Sequence, residues 1–241
     1  MRPNTLVQRY DNVDELSDSA KQAFVEIAKE AIKERGCFLV ALSGGSTPVK
    51  LYEKLAPEIL NWARVHFFWG DERCVPMDDS GNNYGQVKKL LFDKIDIPDQ
   101  NIHRIPSELE PAEAAVQYSH TLGQFADPPL AWPRFDLVLL GMGDDGHTAS
   151  LFPGSPVDTQ ASTLAVTANY QDRPANRVTL TQNVFNSARN IFFLVTGTGK
   201  AETLNRILSN IYTPGELPAQ RINPSDGKII WFVDQAAAHL L

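Results

Sequence analysis

The sequence is poor in cysteine: Cys37 and Cys74 are the only two among 241 residues. Both stand in apolar or mixed stretches without metal-ligand spacing, so neither a disulfide framework nor a zinc site is read, only two reduced thiols. Basic blocks are missing as well. With a formal net charge of −7 and no cluster of Lys and Arg, the chain lacks what nucleic-acid and anionic-membrane surfaces require. No apolar run is long enough to span a bilayer, and Met1 to Thr5 lacks the apolar core of a signal peptide. Internal repeats and low-complexity tracts are also absent. Together these absences predict a cytoplasmic protein with no nucleic-acid and no membrane partner. They leave room for an anionic small substrate, which needs only a local pocket of positive potential.

What is present is an alternation of apolar β-rich runs with helical patterns. Asn12-Val13-Asp14-Glu15 reads as a capping box. Leu16, Ala20, Phe24, Ile27 and Ala31 follow at helical spacing, and Gly36 supplies a stop. Cys37 to Leu42 is apolar on both faces, as a buried parallel strand should be. Further helices are expected at about Pro48–Leu55, Tyr84–Phe92, Pro111–Phe125 and Lys200–Asn210. Further strands are expected at Val65–Trp69, Phe135–Leu140, Thr163–Thr167, Arg177–Leu180, Ile191–Thr196 and Ile229–Val233. Strands separated by helices imply an α/β fold, a mainly parallel sheet with helices on both faces. The Pro-rich stretches Asp127–Pro133 and Tyr212–Pro224 read as surface loops that divide nothing, so residues 1–241 are expected to form a single domain.

The segment Ser43-Gly44-Gly45-Ser46-Thr47-Pro48 joins a buried strand to a helix. Gly44 and Gly45 can take positive φ and let the backbone approach a ligand. Thr47 is expected at the N-cap and Pro48 at N1, where a missing N–H costs nothing. Free amides of the first helical turn, the helix dipole and the hydroxyls of Ser43, Ser46 and Thr47 would then cradle an anion. A plain strand–helix turn would need none of these hydroxyls.

Two Gly-rich segments mimic other sites. Gly141-Met142-Gly143-Asp144-Asp145-Gly146 matches the dinucleotide fingerprint in form, but Asp144 and Asp145 would stand where a pyrophosphate should lie. Gly197-Thr198-Gly199-Lys200-Ala201 is no P-loop, since Leu194 and Ala201 occupy its Gly and Ser/Thr positions. Lys200 is left as a point charge suited to one phosphate. Of the five histidines, His66, His103, His120 and His239 read as structural or surface residues. His147 follows an acidic, Gly-rich turn at a strand's C-terminal end, where an imidazole can exchange a proton at neutral pH. Asp71 and Arg73 follow another strand. Arg73 offers a planar fork for phosphate oxygens, and Asp71 a carboxylate for substrate contact or catalysis.

Taken together, Leu42–Pro48, Trp69–Pro76, Asn82-Asn83-Tyr84, Gly141–Pro153, Arg177–Thr181 and Gly197–Lys200 resemble the 6-phosphogluconolactonase family. The resemblance runs from about residue 10 to the C-terminus. It implies a Rossmann-like fold similar to glucosamine-6-phosphate deaminase and hydrolysis of 6-phospho-D-glucono-1,5-lactone, a step of the oxidative pentose phosphate pathway. No metal or organic cofactor is implied, and the partner would be the phosphorylated sugar lactone, met by a monomer or homodimer. Carried over by position, His147 would be the general base. Gly44, Gly45, Ser46, Thr47, Arg73 and Lys200 would hold the phosphate, with Asp71, Asn83 and Arg177 near the sugar. The related deaminases carry Asp-Glu-Tyr where this chain has Asp71-Glu72-Arg73, and an active-site glutamate where it has Phe152. A non-catalytic sugar-phosphate sensor would need an output segment, and no basic DNA-binding stretch is there to provide one.

Overall fold

The computed structural model describes residues 4–157, 159–171, 173–209 and 211–241. Met1 to Pro3, read above for a signal peptide, and Asn210, the expected end of the last helix, lie outside the described residues. The chain opens with β1 (Thr5–Tyr10) and α1 (Val13–Arg35). Asn12 caps α1, its side-chain oxygen accepting the backbone N–H groups of Asp14 and Glu15 at 3.0 Å each. Glu15 does reach back, but to the Asn12 side-chain amide at 3.1 Å. Leu16, Ala20, Phe24 and Ala31 are buried, and Gly36 ends the helix at φ 82°.

Strand β2 (Phe38–Leu42), α2 (Ser46–Leu55), β3 (Val65–Trp69), β4 (Asp71–Arg73), α3 (Asn83–Leu90) and α4 (Pro111–Gly123) follow. The second half adds β5 (Leu137–Leu140), β6 (Thr163–Thr167), β7 (Asn176–Leu180) and α5 (Gln182–Asn186). It ends with β8 (Asn190–Val195), α6 (Ala201–Leu208) and β9 (Lys228–Asp234). Six strands form a sheet in the order β1-β9-β8-β5-β2-β3, all pairs parallel, and helices flank it. Strand β5 is buried along its whole length, as a strand covered on both faces must be.

Not every expected strand joins that sheet. Strands β4, β7 and β6 make a separate antiparallel sheet of three. The expectation that helices separate all the strands fails here because β6 and β7 are joined directly, as a hairpin. β6 also alternates between buried or half-buried and exposed positions after its first residue, the mark of a sheet with one wet face. Gly70 links the two sheets: its N–H donates to Leu42 O and its carbonyl accepts Leu180 N–H, both at 2.8 Å. Strand β1 was not legible from its residues. It lies at the sheet edge, paired only with β9, where the polar Gln8 is half-buried and Arg9 exposed, so no apolar alternation marks it. Among the described residues no helix is long and apolar enough to cross a membrane.

Two of the histidines are structural. His66 Nδ1 and His103 Nε2 lie 3.1 Å apart, with the rings stacked, and His103 also stacks on Phe68 at 4.4 Å between centroids. Burial, then the charge of His66, lowers His103 to about pH 4. The unfolded value is about 6.5, so between these limits the unfolded chain binds the extra proton and stability falls with falling pH. We expect urea midpoints to drop from pH 7 to pH 5, and His103→Phe to show a smaller drop. An equal drop in both proteins would remove His103 from the acid response.

Candidate active site

Four loops meet where parallel strands end. Ser43–Gly45 leaves β2, Gly70 leaves β3, Gly141–His147 leaves β5 and Thr196–Lys200 leaves β8. Strand β2 has β3 on one side and β5, reached later in the chain, on the other. Such a reversal of strand order opens a crevice beyond the C-terminal strand ends. A cleft of about 160 Å³ lies there, lined by Ser43 to Pro48, Asp71, Arg73, Gly141 to Gly143, His147, Arg177 and Lys200 among others. Another cavity, of about 220 Å³ beside Ile207 and Trp231, has no charged side chain among the described residues that line it.

The turn from Ser43 to Pro48 is present with a different cap. Helix α2 starts at Ser46, so Gly45 is the N-cap, at φ 106°, and Pro48 sits in the third helical position. The expected N-cap role of Thr47 is therefore wrong. Its hydroxyl instead meets Thr196 Oγ1 at 2.9 Å and ties the turn to the end of β8. Pro48 still costs nothing, because the first four amides of a helix have no intrahelical acceptor. Positive φ explains Gly45 but not Gly44. A Cβ on Gly44 would fall 1.8 Å from Asn83 Oδ1.

Asn83 is thus not a lining residue of the cleft. It packs beneath the turn, with its amide donating to Asp71 O at 2.9 Å. Glu72 fixes this arrangement. Its carboxylate accepts Arg73 N–H and Tyr84 N–H at 2.8 Å and Asn83 N–H at 2.7 Å, joining β4 to the start of α3. Burial pushes the Glu72 carboxyl up to about 7, while these three donors pull it down. The three charges Asp71-Glu72-Arg73, open to reading as a solvated loop, are all buried in a strand.

Arg73 donates from Nη1 to Gly81 O at 2.6 Å, and Arg177 from Nε to Pro174 O at 3.0 Å. Arg73 Nε, Arg177 Nη2 and Ser43 Oγ are buried without a hydrogen-bond partner among the described residues, and all three residues line the cleft. Buried polar groups are normally paired, so unpaired donors gathered at one cleft call for an acceptor. Lys200 also lines the cleft; burial lowers its ammonium, with Asp144 and Asp145 opposing.

His147 Nδ1 lies 2.6 Å from Asp145 Oδ1. Asp145 is therefore the acid that orients the ring. Burial works to raise the Asp145 carboxyl, but its hydrogen bond to His147 and the ring's charge outweigh that and hold it low. Gly143 is required beneath the ring, since a Cβ there would fall 2.1 Å from His147 Nδ1. Asp71 is bonded elsewhere, accepting Ser150 Oγ at 2.7 Å, and Asp144 accepts Tyr170 and Gln171. Sequence reading missed Tyr170 and Arg173, which also line the cleft. They come from the β6–β7 hairpin, whose polar tip carries no motif.

The family model for glucosamine-6-phosphate isomerases/6-phosphogluconolactonase matches residues 11–231. The chain belongs to that family. Within the family, a 6-phosphogluconolactonase of Synechocystis is 42% identical over 214 residues, covering 88% of each chain. The solved 6-phosphogluconolactonase of Thermotoga maritima superposes with a TM-score of 0.85 at 31% identity, over 95% of this chain and 99% of that one. A monomeric glucosamine-6-phosphate deaminase superposes with a TM-score of 0.84 at 22% identity, over 98% of this chain and all of that one, and shares the fold.

Gly44 and Gly45 make a paired test of the turn. Gly44→Ala is expected to cost about 1–3 kcal/mol by overpacking, and Asn83→Ala should recover part of that loss. Gly45→Ala meets open space but a backbone at φ 106° and ψ 172° that is essentially reserved for glycine, costing about 1–3 kcal/mol that Asn83→Ala leaves unchanged. Urea unfolding of the single and double variants checks both. Identical responses to Asn83→Ala would refute the distinction.

Proposed function

We propose that this chain hydrolyses 6-phospho-D-glucono-1,5-lactone to 6-phospho-D-gluconate, in the cytoplasm, with His147 as the general base. One observation carries the reading: a histidine oriented by a carboxylate lines the same cleft as two buried guanidinium groups with unused donors. Family membership supports the substrate class, and relatives named 6-phosphogluconolactonase support the reaction.

With Asp145 accepting at Nδ1, the proton of neutral His147 is assigned to Nδ1, leaving the Nε2 lone pair as the base. Nε2 takes a proton from water as its oxygen attacks the lactone carbonyl. The tetrahedral oxyanion is held by backbone N–H groups or a nearby cation. The imidazolium then returns the proton to the ring oxygen as the acyl C–O bond breaks, giving carboxylate and hydroxyl once the acid ionises. Asp145 stabilises the imidazolium in between. Arg73, Lys200 and the amides of Ser46 and Thr47 would hold the phosphate, with Arg177 and Asp71 toward the sugar. An amino-sugar deaminase would need a further acid beside the histidine. Phe152 stands there instead, its ring centroid 4.5 Å from that of His147.

Lactone generated from glucose 6-phosphate by its dehydrogenase should disappear faster than its spontaneous hydrolysis, while glucosamine 6-phosphate is left unchanged. The reverse preference would overturn the assignment. His147→Ala should lower kcat by about 10²–10⁴-fold with KM little changed. A variant with near-normal kcat removes His147 from the mechanism. Arg73→Ala and Lys200→Ala should lower kcat/KM for the phosphorylated lactone far more than for unphosphorylated gluconolactone; equal losses on both would deny these residues the phosphate.

A further inference from the structure

The His147 ring is held on more sides than its bond to Asp145. Phe152 lies against it at 4.5 Å, and Tyr170 stands edge-to-face at 4.6 Å with an interplanar angle of 80°. Tyr170 comes from the tip of the β6–β7 hairpin, which belongs to the smaller sheet, whereas His147 hangs from the larger one. The imidazole and the phenol ring therefore have to be brought together across two sheets.

What brings them together is Asp144. Its carboxylate accepts the Tyr170 hydroxyl on one oxygen and Gln171 Nε2, at 2.9 Å, on the other. Asp144 N–H also points at the phenol oxygen, at 3.4 Å. The rest of the loop is secured through backbone carbonyls: Thr203 Oγ1 donates to Asp144 O, and Ala219 N–H to Gly146 O at 2.9 Å. The two Asp144 carboxylate oxygens are thus spent on the hairpin. Burial, then the Asp144 carboxylate, pushes the phenol up to about 12, so it remains a donor across the neutral range.

We propose that Tyr170 is a positioning residue for His147. Its hydroxyl, donated to Asp144, straps the hairpin tip across the cleft and holds its ring against the imidazole. The strap does not touch the reacting atoms. It fixes the plane in which Nε2 can meet a water and closes one side of the ring to solvent. The same tip carries Arg173, whose guanidinium lies 5.9 Å from the Tyr170 ring centroid, so the strap also sets where that cation enters the cleft.

This inference rests on His147 being the base, and its test has one arm that needs no turnover. Diethyl pyrocarbonate labels accessible imidazole, and mass spectrometry of the peptide carrying His147 reads the rate. Tyr170→Phe keeps the ring and loses only the bond to Asp144. It should melt like the parent and label at His147 roughly fivefold faster, as expected of a locally opened segment. On the lactone it should lower kcat roughly tenfold, with KM within about twofold, because misorientation acts on the reacting geometry. Asp144→Ala alone, which also frees Gln171, should lower kcat at least as much, and adding Tyr170→Phe to it should lower kcat less than about twofold further, the non-additivity of one shared bond. Unchanged labelling, or additive losses in the double variant, would overturn the strap. If the parent does not turn over the lactone, the proposed function fails and labelling alone decides the strap.

Discussion

The cleft depends on the position of β2 in its sheet. β3 pairs with it on one side and β5 on the other, all parallel, so three chain segments leave the sheet at the same edge. The Gly-rich turn into α2, the Asp71–Arg73 segment and the histidine loop follow those three strands, and β8 adds Lys200 beside β5. Groups far apart in sequence converge because parallel strands must end together, and the change of direction at β2 leaves the gap between them.

Holding cations at that gap carries a cost in stability. A buried polar group without a partner costs about 1–3 kcal/mol, and three lining residues carry such groups. Arg73 and Arg177 are held by carbonyls rather than carboxylates, which fix the guanidinium without neutralising it. The nearby acids are bonded elsewhere: Glu72 to backbone amides, Asp71 to Ser150, Asp145 to His147 and Asp144 to the hairpin. An arriving phosphate would find donors already oriented and not quenched, so its binding energy can orient the lactone end against His147.

The small antiparallel sheet completes the site from outside the parallel frame. β4 buries Asp71 and Arg73, β7 supplies Arg177, and the β6–β7 tip brings Tyr170 and Arg173. Gly70, bonded to both sheets, allows one chain segment to serve each in turn.

The sequence by itself determined the α/β class, the parallel core strands, α1 with its cap and stop, the Gly-rich turn into α2 and the singular setting of His147. These features are local: periodicity, caps and turn chemistry act over a few residues, and each can be read where it occurs. It did not reveal β1, whose pairing is set by β9 more than two hundred positions later, or the burial of Asp71-Glu72-Arg73, which depends on partners in α3 and β7. It placed Thr47 at the N-cap, two positions before its place in the helix, and could not show that Asn83 packs under Gly44, since both depend on what the folded chain brings alongside. Only the tertiary structure decided that Asp145, not Asp71 or Asp144, holds the histidine, and that a tyrosine from the other sheet presses on it. Orientation of such a ring is a matter of tenths of an ångström between residues of different elements, and no spacing along a single chain encodes it.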